Sequence, residues 1–113
     1  LRKPEIMRKA RAELDDVIGR RRVVDEADVA RLPYLRCMVK ETLRLHPSVP
    51  FLIPRRVEQE VDVCGYIVPK NSQVLVNAWA IGRDARTWVD PLEFKPERFV
   101  GSEVDVRGRD FEL

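Results

Sequence analysis

The sequence predicts a mainly α chain with a small β-sheet, an α+β architecture. Three observations predict it. Two stretches within the first 46 residues carry apolar residues at helical spacing, and each opens on a proline. A proline-broken run then leads into short β-branched stretches around Cys64-Gly65. From Asp84 onward no period is sustained.

The elements follow in order. Pro4 suits the first position of a helix, because its missing N–H would have no partner there anyway. Ile6, Met7, Ala10, Leu14, Val17 and Ile18 make one face, and Arg8, Arg11, Asp15 and Asp16 the other, so a helix is expected over 1–19, ended by Gly19. Arg20, Arg21 and Arg22 read as a solvated loop. Asp25 with Asp28 three residues on resembles a capping box, which predicts a short helix over 25–31. Pro33 restarts a helix over 33–46, with Leu35, Met38, Val39, Leu43 and Thr42 as its buried face. Pro47 stops it, because its ring clashes with a continuing turn.

Pro47, Pro50 and Pro54 restrict the next run to an extended, edge-like course. Val61 and Val63, then Tyr66 to Val68, predict a hairpin; Gln73 to Asn77 predicts another short strand, so a small sheet is expected over 51–77. Trp79 to Gly82 has room for one helical turn. The stretch 84–113 reads as long and irregular, with Trp88, Phe94 and Phe99 as anchors that argue for order.

Composition narrows the function classes. Of 113 residues, 21 are basic and 19 acidic, a net charge of +2, so this is no strongly cationic nucleic-acid binder. No apolar run has the length that spans a bilayer, and the opening LRKPEIMRKA is a charged helix start, not a signal peptide. Cys37, Cys64 and His46 cannot build a zinc framework; the two cysteines are reduced thiols or one disulfide.

The stretch KETLRLHP, Lys40 to Pro47, poses the main question. Glu41 and Arg44 lie three apart on one helix face, beside an apolar stripe and just before the proline-rich run. On a surface such a pair contributes less than about 1 kcal/mol. A buried carboxylate, however, can accept from two guanidinium forks, and KPERF, Lys95 to Phe99, offers a second arginine in Arg98.

These residues carry a resemblance. Glu41-Thr42-Leu43-Arg44 matches the E-x-x-R motif of the cytochrome P-450 family of haem-thiolate monooxygenases, and Pro96-Glu97-Arg98-Phe99 matches its P-E-R-F motif. LHP, PRR, GRD, Trp88, DP and Phe94 fall between or around them in the family's order. The sequence departs at Ala85, where the family usually places proline. The resemblance covers the whole chain: J helix 1–19, short helix 25–31, K helix 33–46, small sheet 51–77 and meander 84–113. The final VRGRDFEL resembles the lead-in to the haem loop of plant members, especially those that hydroxylate monoterpenoids.

The resemblance implies roles. Glu41, Arg44 and Arg98 would form a structural triad tying the K helix to the meander. Arg55 would pair with a haem propionate, leaving Arg56 solvated. Val49, Phe51 and Leu52 would line a substrate pocket or pack in the core. The parent enzyme would use haem, insert one oxygen of O2 into a small hydrophobic, terpenoid-like substrate, and draw electrons from NADPH through a cytochrome reductase. It would sit on the cytosolic face of the endoplasmic reticulum membrane through an N-terminal anchor outside this chain.

The chain itself is expected to be a fragment without a catalytic residue or metal ligand, its axial cysteine lying beyond Leu113. Haem is not expected to stay bound to it. The alternative is a small stand-alone protein-interaction module without catalysis.

Overall fold

A computed structural model describes residues 3–20 and 22–105. Helix α1, Pro4–Val17, has its proline in the first turn and buries Ile6 and Ala10. Met7, Leu14, Val17 and Ile18 are half-buried. Ile18 and Gly19 close the helix by donating to Leu14 and Asp15, each at 3.0 Å. Arg31 Nη2 reaches the freed Val17 carbonyl at 3.2 Å, which suits a cation at a helix C-terminus.

Arg20 and Arg22 are exposed, as expected of a solvated loop, and each is also paired. Arg22 forks onto Asp28 with two bonds of 2.8 Å, and Arg20 lies 3.3 Å from Asp15. Asp28 also accepts from the Asp25 N–H at 2.9 Å, while Asp25 accepts from Ala27 at 3.4 Å. The capping box therefore exists, and the turn it opens, Glu26–Arg31, is a 3₁₀ helix. The Arg22 guanidinium, followed by the Asp25 N–H, holds the Asp28 carboxyl down at about 2.

Helix α2, Pro33–Leu45, begins after Leu32, which is fully buried and has no side-chain acceptor. Its cap comes from α1. Glu13 accepts from the Tyr34 and Leu35 N–H groups at 2.7 and 2.9 Å, satisfying two donors that the helix leaves open. The helix stops at Leu45, and His46 donates to Thr42 at 2.7 Å ahead of Pro47.

The buried face of α2 differs from the expected one. Cys37, Glu41, Arg44 and Leu45 are buried, whereas Val39 is 52% exposed and Thr42 is exposed. Leu35, Met38 and Leu43 are half-buried. The helix is rotated so that its charged pair, not its apolar stripe, faces the irregular segment.

The small sheet is two separate antiparallel ladders. Strands β1, Arg55–Arg56, and β4, Gln73–Val74, pair in one; β2, Val61–Val63, and β3, Tyr66–Val68, pair in the other. Cys64 and Gly65 join the second pair with φ of 53° and 83°, the left-handed geometry of a tight two-residue hairpin. The Gly65 N–H donates to Asp62 at 2.8 Å. Residues 51–54 form no strand, and Gln73 to Asn77 contributes only its first two residues. Pro50 and Pro54 have no N–H for a ladder; the Pro50 carbonyl instead accepts from Trp79 at 3.2 Å. A four-residue helix α3, Ala78–Ile81, is capped by Asn77.

From Asp84 to Asp105 the chain turns repeatedly, with one 3₁₀ turn at Pro96–Phe99. Trp88 and Phe99 pack with ring centroids 5.6 Å apart and enclose Cys37 of α2. Phe94 is half-buried. Both cysteines are free, Cys37 buried and Cys64 exposed, which removes the disulfide alternative. The end of the segment, 106–113, lies outside the described residues.

The chain is open for its size. Its radius of gyration is 18.4 Å, against about 13 Å for a compact domain of this length. Its accessible surface is 9056 Å², against roughly 6,400 Å² for a compact monomer of this mass.

Candidate functional site

The site is the buried charge cluster on α2. Glu41 has no exposed side-chain surface, nor does Arg44, and Arg98 retains 11%. Arg44 Nε donates to Glu41 Oε2 at 2.7 Å and Nη2 to Oε1 at 2.9 Å, the two-pronged geometry that suits a carboxylate. Oε1 also accepts from Arg98 Nε at 3.1 Å and from the Lys95 N–H at 2.7 Å. Glu41 thus joins α2 to residues 54 and 57 positions downstream.

The remaining guanidinium donors end on carbonyls of the irregular segment. Arg44 donates to Gly82, to Pro91 at 2.8 Å and to Glu93 at 3.2 Å. Arg98 donates to Val89 at 3.0 Å and to Asp90 and Glu93 at 3.3 Å. A turn of this kind has carbonyls without ladder partners, and buried ones must find donors. Gly82 is where α3 meets the end of α2: a Cβ there would overlap the Arg44 carbonyl, so only glycine permits the approach. Beside it Arg83 donates to the Leu45 carbonyl and stacks 4.2 Å from the Trp79 ring centroid.

The Glu41 carboxylate accepts four bonds and sees no solvent, so no water or outside group reaches it. Every bond of the cluster runs within α2, between α2 and residues 82–98, or among those residues.

The structure brings Glu41, Arg44 and Arg98 together and leaves the other expected site residues apart. Arg55 is exposed on β1 and, among the described residues, makes no ion pair. Arg56 is exposed as well. Val49, Phe51 and Leu52 are 50%, 52% and 45% exposed, so the core-packing alternative for them is excluded within this chain. A cleft of about 630 Å³ opens between α1, the end of α2 and residues 92–94, and none of these five residues lines it. Among the described residues no group of three His, Cys, Asp or Glu is placed to hold a metal. Burial raises the Cys37 thiol and keeps it protonated.

Sequence reasoning missed Lys95, whose backbone completes the Glu41 shell, and Glu13, whose carboxylate seats α2. Neither leaves a local signal. Gly82 had one, the GRD turn.

Comparison with known proteins supplies the rest. The cytochrome P-450 family model matches residues 1–111. A geraniol 8-hydroxylase from Swertia mussotii is 69% identical over 113 residues, which is 100% of this chain and 23% of that protein. One from Catharanthus roseus is 67% identical with the same coverage. A 7-ethoxycoumarin O-deethylase from Helianthus tuberosus is 59% identical, again over 100% of this chain and 23% of that protein. A zebra fish cytochrome P-450 solved with progesterone superposes with a TM-score of 0.82 at 39% identity, over 88% of this chain and 24% of that one. The chain therefore spans about a quarter of the length of the relatives it matches. With the E-x-x-R helix clamped onto the P-E-R-F turn and the family match running nearly end to end, this chain belongs to the cytochrome P-450 family.

Proposed function

We propose that the whole protein of which this chain is a part is a haem-dependent monooxygenase acting on a monoterpenoid alcohol such as geraniol. The observation that carries the reading is 69% identity, across all 113 residues, with a geraniol 8-hydroxylase. One oxygen atom of O2 enters the substrate and the other leaves as water, with two electrons supplied by NADPH through a reductase. When bound, haem supplies the iron chemistry that activates O2. We place the enzyme at the cytosolic face of the endoplasmic reticulum membrane; among the described residues no helix is long and apolar enough to cross a membrane.

This chain's own residues have three tasks in that reading. Pro4–Val17 is the J helix, Pro33–Leu45 the K helix and the stretch from Asp84 the meander. Glu41, Arg44 and Arg98 clamp K helix to meander. Arg55 holds a haem propionate: its guanidinium is exposed on a two-residue ladder and pairs with no carboxylate of the described residues, which fits a planar anion supplied by a cofactor. Val49, Phe51 and Leu52, apolar yet exposed, line the substrate pocket. The chain's surface, about 2,600 Å² above that of a compact monomer, supports packing of this stretch against the rest of an enzyme.

The test is turnover of geraniol by the whole protein with reductase, NADPH and isotopically labelled O2. One labelled oxygen in a hydroxylated product is expected. No product from geraniol or related terpenols overturns the reading. The isolated 113-residue chain should give no thiolate-type band when titrated with haem and reduced under carbon monoxide.

A further inference from the structure

We propose that Trp88 is the fourth member of the clamp, its indole π-face serving as the second counter-charge for Arg44 and Arg98. The inference rests on the clamp reading of Glu41, Arg44 and Arg98.

The cluster is short of negative charge. It buries two guanidiniums against one carboxylate. Like charges in a poorly screened interior repel, and carbonyl dipoles offset this only in part. The nearby acids do not help: Asp90 and Glu93 turn their carboxylates outward to Lys95 and Lys3 and give the cluster only their backbone carbonyls. Trp88 does face it. The Arg44 Cζ lies 5.2 Å and the Arg98 Cζ 5.6 Å from its ring centroid, both within the reach of a cation–π interaction.

A second observation favours the same role. The Trp88 Nε1 is buried with no acceptor among the described residues. An indole N–H usually finds a partner when buried, and leaving it unpaired is unfavourable. Hydrogen bonding therefore does not explain an indole here. Phenylalanine would fill the space beside Phe99 without burying that group. What the indole adds is the stronger negative face of the aromatic residues.

The experiment replaces Trp88 alone with indoles carrying one to four fluorines, in the full chain, and follows urea unfolding. Fluorine withdraws π-density with little change of shape, so packing and cation–π contributions separate. A desolvated cation–π contact predicts a fall of about two- to threefold in the folded-to-unfolded ratio per fluorine. In an Arg98→Gln background the slope should drop by about half. A flat series, or an undiminished slope without Arg98, overturns the proposal. Trp88→Phe should fall between wild type and Trp88→Leu; Phe and Leu variants of equal stability also count against it. If the clamp reading itself is wrong, Glu41→Gln will be silent. A flat fluorine series alongside a damaging Glu41→Gln rejects only the role of Trp88.

Discussion

Glu41→Gln changes almost no volume, yet the structure predicts that it costs a large share of the chain's stability. The Glu41 carboxylate accepts four bonds, three on Oε1 and one on Oε2. An amide must place its NH2 at one of the two positions. At Oε1 it would face three donors. At Oε2 it would face Arg44 Nε alone, so the second orientation wins and at least one donor still meets a donor. The larger effect is charge: Arg44, with no exposed side-chain surface, and Arg98, at 11%, lose their shared counter-ion. Removing one partner of a buried pair costs about 3–5 kcal/mol. A whole domain has only about 5–15 kcal/mol. The exposed pairs Lys3–Glu93 and Lys9–Glu97, both at 2.5 Å, belong to a class worth at most about 1 kcal/mol, which sets the comparison. Urea unfolding followed by circular dichroism gives the difference. A loss below about 1 kcal/mol would place Glu41 in the surface class and refute the reasoning.

Other perturbations probe the supports around the cluster. Gly82→Ala should lose about 1–3 kcal/mol, because its Cβ would meet the backbone carbonyl of Arg44 while its φ of −63° suits any residue. A thermal melt at the wild-type midpoint would contradict that. Glu13→Gln should cost about 1 kcal/mol, as a lost helix cap does, and should speed amide exchange at Tyr34 and Leu35. Unchanged exchange at both amides would mean the cap is not the source. Asp28 is held at about 2 by Arg22, so its contribution is present above the ordinary carboxyl range of roughly 4 and is lost as pH falls toward 2. The stability gap between wild type and Asp28→Asn should therefore close over that window in an acid titration. A gap independent of pH would count against the pairing.

Much of this was legible in the residues. Pro4 and Pro33 open helices and Pro47 closes one, because proline's fixed φ and missing donor act locally. The Cys64-Gly65 turn was legible because a glycine between two β-branched stretches readily takes a positive φ. Arg98 as a partner for Glu41 was legible from motif and spacing, and the 3.1 Å contact spans 57 residues. What was not legible depends on partners far away in sequence. The buried face of α2 was assigned to Leu35, Met38, Val39, Leu43 and Thr42 because a periodicity reading passes over charged residues. The real stripe, Cys37, Glu41 and Arg44, contains two charges whose burial is affordable only beside Arg98 and the carbonyls of residues 82–93. The seat of α2 on Glu13 joins residues 21 and 22 apart, with no local mark. The two ladders replaced one sheet because β1 and β4 pair around the outside of the β2–β3 hairpin, which strand propensity does not encode. The pairing of Arg22 was not legible because its partner, Asp28, already had a role in the capping box.

The central claim is that charge fastens α2 to the irregular segment, and a double-mutant cycle between Glu41 and Arg98 tests it most directly. The account predicts that Glu41→Gln and Arg98→Gln are strongly non-additive, with a coupling of about 1–3 kcal/mol, since the second change removes a charge the first has already stranded. Additive losses, within about 0.3–0.5 kcal/mol, would contradict it.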